Sequence, residues 1–396
     1  MFNAIPRITV QNLSSSKIRE VANEGLANPG SVLPFWFGEP ATVTPAFIRD
    51  AAKQALDAGD TFYHHNLGMP TLRATLATYI SRLHNQRMTS ERVIVTGSGG
   101  VNALMLAMQA ILEPNDEVVA IVPLWPNITE IPAILGATVR RVGLDLRTVD
   151  GSQRWHLDMP KLIAAITPAT KAVLINSPNN PTGWVASAQD MATLLNHCRT
   201  TGTWIISDEA YERLVFDGSY QAPSILDICS DNDRVIVCNT FSKSWQMTGW
   251  RLGWLVVPSS LEESLSKLVE FNSSCAPGFI QQAAIIAVNQ GEPTVKLFVD
   301  SLITGQKVVS DYLAKRDDIE IGYPDGAMYV FFKIKGITDS LKLAKALVRD
   351  AGIGLAPGIA FGTEGEGYLR WCIAKPESVL LEGITRFDRF DVRRFK

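Results

Sequence analysis

One pattern constrains this chain more than any other. The segments RVIVTG (92–97), EVVAIVP (117–123), KAVLINSP (171–178), WIISDEAY (204–211), RVIVCNT (234–240) and LGWLVVP (252–258) are short runs apolar on both faces. A strand with no polar face must be covered on both sides, which a mostly parallel sheet flanked by helices provides. Helical patterns lie between the runs. GGVNALMLAMQAIL (99–112) is one. SAQDMATLLNHCRTTG (187–202) is another, opening on the capping residue Ser187 and stopping at Gly202. The alternation predicts an α/β layer sandwich.

The last third changes character. A long helical pattern at 293–316 leads to PDGAMYVFFKI (324–334), a strand after a turn. DSLKLAKALVRDAG (339–352) reads as a helix ending on Gly352, and GYLRWCIA (367–374) as a further strand. Together these predict a smaller α+β domain. A chain of 396 residues is long enough for more than one core. The division expected is an N-terminal segment, 1–45, packing on the small domain, a large domain at 46–285, and a small C-terminal domain at 286–396.

Composition excludes several classes of partner. The net charge of −3 leaves no basic excess for nucleic acid or an anionic membrane. The opening stretch MFNAIPRITVQNLSSSKIRE lacks the apolar core of a signal peptide, and no apolar run is long enough to span a bilayer. The five cysteines are scattered and form no C-x-x-C pair, so reduced, mostly buried thiols are expected and a metal site is not. The expectation is a cytoplasmic protein.

Candidate chemistry gathers at the ends of the apolar runs. RVIVTG continues into SGG and then a helix. Such a turn aims free backbone N–H groups at an anion, and the helix dipole assists; a tight turn without a ligand is the competing reading. The stretch matches neither G-x-x-x-x-G-K-[ST] nor G-x-G-x-x-G, which removes support from a nucleotide-binding reading. SPNNPTGWV (177–185) offers Asn179 and Asn180 on a proline-stiffened path, or a rigid turn alone. Asp208 ends a buried strand, where ligands of open α/β sheets sit; it could also cap a helix. Tyr211 follows three residues later.

Lys243 and Arg251 lie in NTFSKSWQMTGWRLGW (239–254), a stretch with two cations and no carboxylate. A surface position is the ordinary reading of any lysine, but this one follows a buried strand. The guanidinium fork of Arg251 suits a dianion. A phosphate cradle, a carboxylate, a phenol, an amide, an arginine and a lysine together match the chemistry of pyridoxal phosphate.

The motifs FGEP, FYHHNLGMPTLR, GSGGVNAL, PLWPN, NSPNNPTG, SDEAY, FSKSWQMTGWRLG and GEGYLRWCIA occur in this order along nearly the whole chain. In this it resembles the class I aminotransferases of fold type I, in the broad aspartate and kynurenine aminotransferase-like branch. The resemblance implies pyridoxal 5'-phosphate as cofactor and exchange of an amino group between an L-amino acid and a 2-oxo acid by a ping-pong route. It implies that Lys243 forms the internal aldimine and then shuttles a proton, and that Asp208 pairs with the pyridine nitrogen. Tyr211 and Asn180 would bond the phenolic oxygen, and Trp125 would stack on the ring. The phosphate would lie on the backbone N–H groups of Gly100 and Val101, with Arg251 and the hydroxyls of Thr240 and Ser242, Thr240 being the better match. Tyr63 corresponds to a tyrosine that reaches the phosphate from the neighbouring subunit, which implies a homodimer. Arg370 would clamp the substrate carboxylate, and Gly38, Trp125 and Asn180 would lie beside the substrate.

Some positions depart from the pattern or carry no role. Val101 can meet a phosphate only through its backbone. Trp245 stands where small or hydroxyl residues are common, and with Trp36 and Phe35 it either shapes the substrate pocket or packs. The tryptophans tilt the expected substrate towards a large apolar side chain. His64 and His65 fit an ordinary polar loop, and His197 fits a structural position on a helix. A lyase, decarboxylase or oxidase on the same scaffold would share Lys243, Asp208 and Arg370. A non-catalytic cofactor-binding effector module is the alternative from a different class.

Overall fold

The computed structural model describes residues 5–26 and 30–395. Residues 1–4 and 27–29 of the expected N-terminal segment, and residue 396, lie outside the described residues.

The apolar runs form one sheet. Its strands are β1 (Val93–Gly97), β2 (Glu117–Val122), β3 (Thr138–Gly143), β4 (Thr170–Asn176), β5 (Trp204–Asp208), β6 (Val235–Thr240) and β7 (Leu252–Val256). They lie in the spatial order β1-β7-β6-β5-β4-β2-β3. The pairs β2–β3, β2–β4, β4–β5 and β5–β6 are parallel. Strand β7 is antiparallel to both its neighbours, with Leu252 opposite Gly97 and Gly253 opposite Thr240. It therefore begins at the edge where β1 and β6 end. That single reversal brings Arg251, which immediately precedes β7, to the rim that carries Ser98, Thr240 and Asp208.

The sequence reading missed β3. Its residues are largely exposed and include Arg140 and Arg141, because it is an edge strand paired on one side only. It also missed the hairpin of Asp145–Val149 with Ser152–His156, whose exposure hides any apolar pattern. The helices at Gly99–Ile111 and Ala188–Thr201 follow the predicted bounds closely. Ser187 caps the second through a reciprocal capping box with Asp190, and Gly202 closes it in the left-handed region.

The C-terminal third builds an antiparallel sheet from β8 (Ile319–Gly322), β9 (Tyr329–Ile334), β10 (Ala356–Pro357) and β11 (Tyr368–Cys372), in the order β8-β9-β11-β10. The helix Lys17–Leu26 lies against this part of the chain, where Lys345 bridges Glu20 and Glu24. Leu33–Pro34 pairs in parallel with Ile353–Gly354. Cys198, Cys229, Cys238 and Cys372 are buried thiols. No helix among the described residues is long and apolar enough to cross a membrane.

Candidate active site

The rim of the large sheet faces the small sheet across a cavity of about 210 Å³. Each strand end delivers one chemical group to it. Strand β4 ends in Asn176, β5 in Asp208 and β6 in Thr240, with Ser242 and Lys243 on the turn that follows. Gly100 and Val101 open the helix after β1, Trp125 follows β2, and Arg370 reaches over from β11. Gly38, Asn180, Tyr211 and Arg251 line it too, so every predicted site residue except Tyr63 is on the cavity wall.

The amine and the carboxylate are both taken out of water. Asp208 is buried, and its Oδ1 accepts from the Ala210 backbone N–H at 3.2 Å. This is a local turn bond and not a helix cap. Burial pushes its carboxyl up to about 6, against the opposing pull of that N–H and of Lys243. Lys243 is half-buried, and its Nζ donates to the Gly38 carbonyl at 2.6 Å. Burial brings its ammonium down to about 8, and the charges of Arg370 and Arg251 push the same way. Near neutral pH such an amine is deprotonated far more often than an exposed lysine, which is what a nucleophile requires.

The anion cradle is built from two sides. Ser98, in the left-handed region at φ 59°, turns the chain into the 13-residue helix Gly99–Ile111. The first N–H groups of a helix have no partner within it, so they remain available to an anion. Thr240 Oγ1 lies 2.9 Å from Ser242 Oγ and accepts from the Ser242 N–H at 3.1 Å, so two hydroxyls sit side by side below the helix end. Arg251 donates to the carbonyls of Thr248 at 2.8 Å and Ser98 at 2.9 Å, which fixes its fork at the same spot. Gly253 holds the helix close to the sheet. A Cβ there would stand 2.8 Å from the Asn239 carbonyl oxygen, 2.9 Å from the Gly99 carbonyl carbon and 3.1 Å from the Gly100 nitrogen.

Arg370 is buried on the opposite side. It donates to Asn180 Oδ1 at 2.7 Å and to the Trp36 carbonyl, while its Nε has no hydrogen-bond partner among the described residues. A buried guanidinium N–H without an acceptor costs about 1–3 kcal/mol, which an incoming carboxylate would recover. The residues therefore fit a ligand with a dianionic group at one end and a basic ring nitrogen over Asp208. They leave room for a carbonyl beside Lys243 and a carboxylate under Arg370.

Other groups singled out in the sequence have definite partners in the structure. Asn180 Oδ1 is engaged by Arg370, and the Tyr211 hydroxyl lies 2.7 Å from that of Tyr329. Tyr63 is 90% exposed and does not line the cavity within one chain. Trp245 is buried among Tyr79, Phe241 and Trp254, away from the cavity. The Trp36 ring packs against Gly25 and Gly354, where added Cβ atoms would strike it, and Phe35 packs on Trp371. Trp245, Trp36 and Phe35 are thus packing residues, which removes their support for a large apolar substrate. His64 pairs with Asp60, His65 Nδ1 accepts from the Leu67 N–H, and His197 bonds the Ile166 carbonyl, all structural contacts.

Sequence reasoning missed Asn176, Tyr329, Ile18, Phe37, Leu104 and Ala210 on the cavity wall. Asn176 could have been found, since it is the polar residue closing an apolar strand just before the quoted SPNNPTG. Tyr329 opens the apolar run YVFF and reads as core in one dimension.

The sequence profile of "Aminotransferase class I and II" matches residues 32–387. The chain belongs to this family.

The family assignment agrees with individual relatives. A probable N-acetyl-LL-diaminopimelate aminotransferase of Bacillus subtilis is 32% identical over 400 residues, covering 97% of each chain. An aspartate aminotransferase of Pyrococcus horikoshii is 32% identical over 380 residues, covering 95% of each. The crystal structure of an aspartate aminotransferase from Thermotoga maritima superposes with a TM-score of 0.88 at 29% identity, over 97% of this chain and 99% of that one. The fold is that of the fold-type I aminotransferases, and the protein is a pyridoxal phosphate-dependent aminotransferase that moves an amino group between an amino acid and a 2-oxo acid.

Proposed function

We propose that the cavity bounded by Lys243, Asp208 and Arg370 is where this transfer takes place, with pyridoxal 5'-phosphate held between the two sheets. The observation that carries the reading is the pairing of a depressed amine, Lys243, with a buried carboxyl, Asp208, on one cavity wall opposite a buried arginine with a free N–H. When bound, the cofactor supplies an electrophilic carbon for an amine and a conjugated ring that takes up the electrons of a broken bond at Cα.

The chain's own groups do the rest. Lys243 would hold the cofactor, be freed when the amino acid arrives, and move a proton at Cα as general base and acid. Asp208 would keep the ring nitrogen protonated, because a buried carboxylate with a single N–H donor gains most from a second one. Gly100 and Val101 N–H groups, the Thr240 and Ser242 hydroxyls and Arg251 would bind the phosphate. Trp125 would stack on the ring, and Asn180 and Tyr211 would bond its phenolic oxygen. Arg370 orients the α-carboxylate, with Gly38 and Asn180 at its side. Donor and acceptor use the same residues in turn, which gives ping-pong kinetics.

Two lobes would serve this chemistry, 46–285 carrying the cofactor and 286–396 carrying Arg370, with the first 45 residues riding on the second lobe. The helix Lys17–Leu26 and the Leu33–Pro34 pairing support that division. A homodimer would bring Tyr63 of one chain to the phosphate of the other. The exposed Phe62, Tyr63 and Phe271 side chains favour it. The scattered thiols favour a cytoplasmic location.

The test is a half-reaction followed by absorbance. Purified protein loaded with pyridoxal phosphate should lose its visible band on addition of an amino acid and regain it on addition of a 2-oxo acid. Loss without recovery would contradict transamination at this site.

A further inference from the structure

We propose that Tyr329 is a positioning residue of this site, whose ring holds the Arg370 clamp in place and whose hydroxyl donates to Tyr211. The inference rests on the reading of the cavity given above.

Tyr329 opens β9 at the centre of the small sheet and is 1% exposed. It pairs with Cys372 across the ladder, so its ring lies diagonal to Arg370 on β11. The Arg370 guanidinium carbon sits 4.2 Å from the Tyr329 ring centroid, and Phe361 flanks the same group at 4.9 Å. Contacts with two aromatic rings restrain the planar cation, and each adds attraction in a site shielded from water. The fork therefore keeps its orientation when a carboxylate arrives.

The hydroxyl points to the other lobe. It lies 2.7 Å from the Tyr211 hydroxyl, with the two rings at 73°. Tyr211 is the only hydrogen-bond acceptor for the Tyr329 O–H among the described residues, and a buried phenol proton is rarely left without one. If Tyr329 donates, the Tyr211 proton is released towards the cavity, and the chain of two hydroxyls makes Tyr211 the stronger donor. Gly38 is matched to this arrangement. A Cβ on Gly38 would collide with the Tyr329 hydroxyl, so the missing side chain leaves the space that the phenol occupies. One residue thus joins the substrate clamp to a cofactor contact.

The charged and titratable groups facing this pair are Asp208 and Lys243 from the large sheet and Arg370 and Cys372 from the small one. The test uses the cofactor-loaded protein and two variants. Tyr329→Phe keeps the ring and removes the hydroxyl. It should raise the pH midpoint of the cofactor's visible band by about half a unit, because Tyr211 becomes a weaker donor to the deprotonated form. It should leave the calorimetric affinity for 3-phenylpropanoate or succinate, used as unreactive carboxylate probes, within about twofold. Tyr329→Leu removes the ring as well, and should weaken carboxylate binding and raise KM for both substrates about tenfold. An unshifted midpoint in Tyr329→Phe overturns the hydroxyl role, and unchanged carboxylate affinity in Tyr329→Leu overturns the clamp role. A wild-type protein that takes up no cofactor refutes the site reading itself, before either variant is compared.

Discussion

The Nζ of Lys243 donates to the carbonyl of Gly38 at 2.6 Å. This bond ties the amine at the rim of the large sheet to the segment that leads towards the small one. It must break when the amine attacks a carbonyl, and only the neutral amine can attack. Burial places the ammonium at about 8 rather than 10.5. The rate at which cofactor-free protein acquires its visible band on mixing with pyridoxal phosphate should therefore rise with pH through about 8 and level off above it. Stopped-flow absorbance measures this, and a rise continuing towards 10.5 would show an ordinary lysine.

The buried carboxyl of Asp208 costs the cofactor-free chain stability at neutral pH. Its carboxyl sits at about 6 in the folded chain against an ordinary 3.8, so the folded state binds the proton more tightly than the unfolded state. Stability of the cofactor-free chain then falls as pH rises between those values, and the loss is complete above them. Asp208→Asn should stabilise the cofactor-free protein at pH 7.5 by ~1–3 kcal/mol in urea melts while greatly reducing transamination. A destabilised variant would contradict the burial account.

Gly253 tests the cradle without touching a polar group. The methyl of Gly253→Ala would meet backbone of β6 and of the Gly99–Ile111 helix start at once, and backbone on both sides leaves little room to relax. The expected result is a loss of about 1–3 kcal/mol in stability together with weaker affinity for pyridoxal phosphate, read by thermal melts and by equilibrium titration. Unaltered cofactor affinity would mean that the helix end does not bind the phosphate.

How far the sequence carried these conclusions depended on burial. Strands β1, β2, β4, β5, β6 and β7 were legible because covering both faces leaves no polar position. The direction of β7 was not, since LGWLVVP is equally apolar in either orientation, yet that direction is what delivers Arg251 to the site. Lys243 and Asp208 stood out as charges at the ends of apolar strands, whereas Arg370 was assigned by the family resemblance. Tyr329 did not, because a tyrosine at the head of YVFF is chemically plausible core, and only the packing of two sheets turns its hydroxyl into a partner of Tyr211. Trp245 was left open between shaping the pocket and packing, and it packs. Its ring sits in a cluster with Phe241 of the same turn and Trp254 of β7, and the contact with β7 is one that no local pattern encodes.

The role proposed for Tyr63 has a complementation test. A Tyr63→Ala chain and a Lys243→Ala chain should each be impaired alone, the second almost completely. Mixed dimers made by co-expression should recover activity, since one of their sites combines an intact Lys243 with an intact Tyr63 from the partner subunit. No recovery in isolated mixed dimers would place Tyr63 outside the neighbouring site.

The account stands on Lys243 as the residue that holds the cofactor. Borohydride reduction of the loaded protein, followed by proteolysis and mass spectrometry, locates the pyridoxyl group directly. The prediction is a single modified peptide containing FSKSW, with the added mass on Lys243. Labelling at another lysine, or no label on protein that shows the visible band, would contradict it.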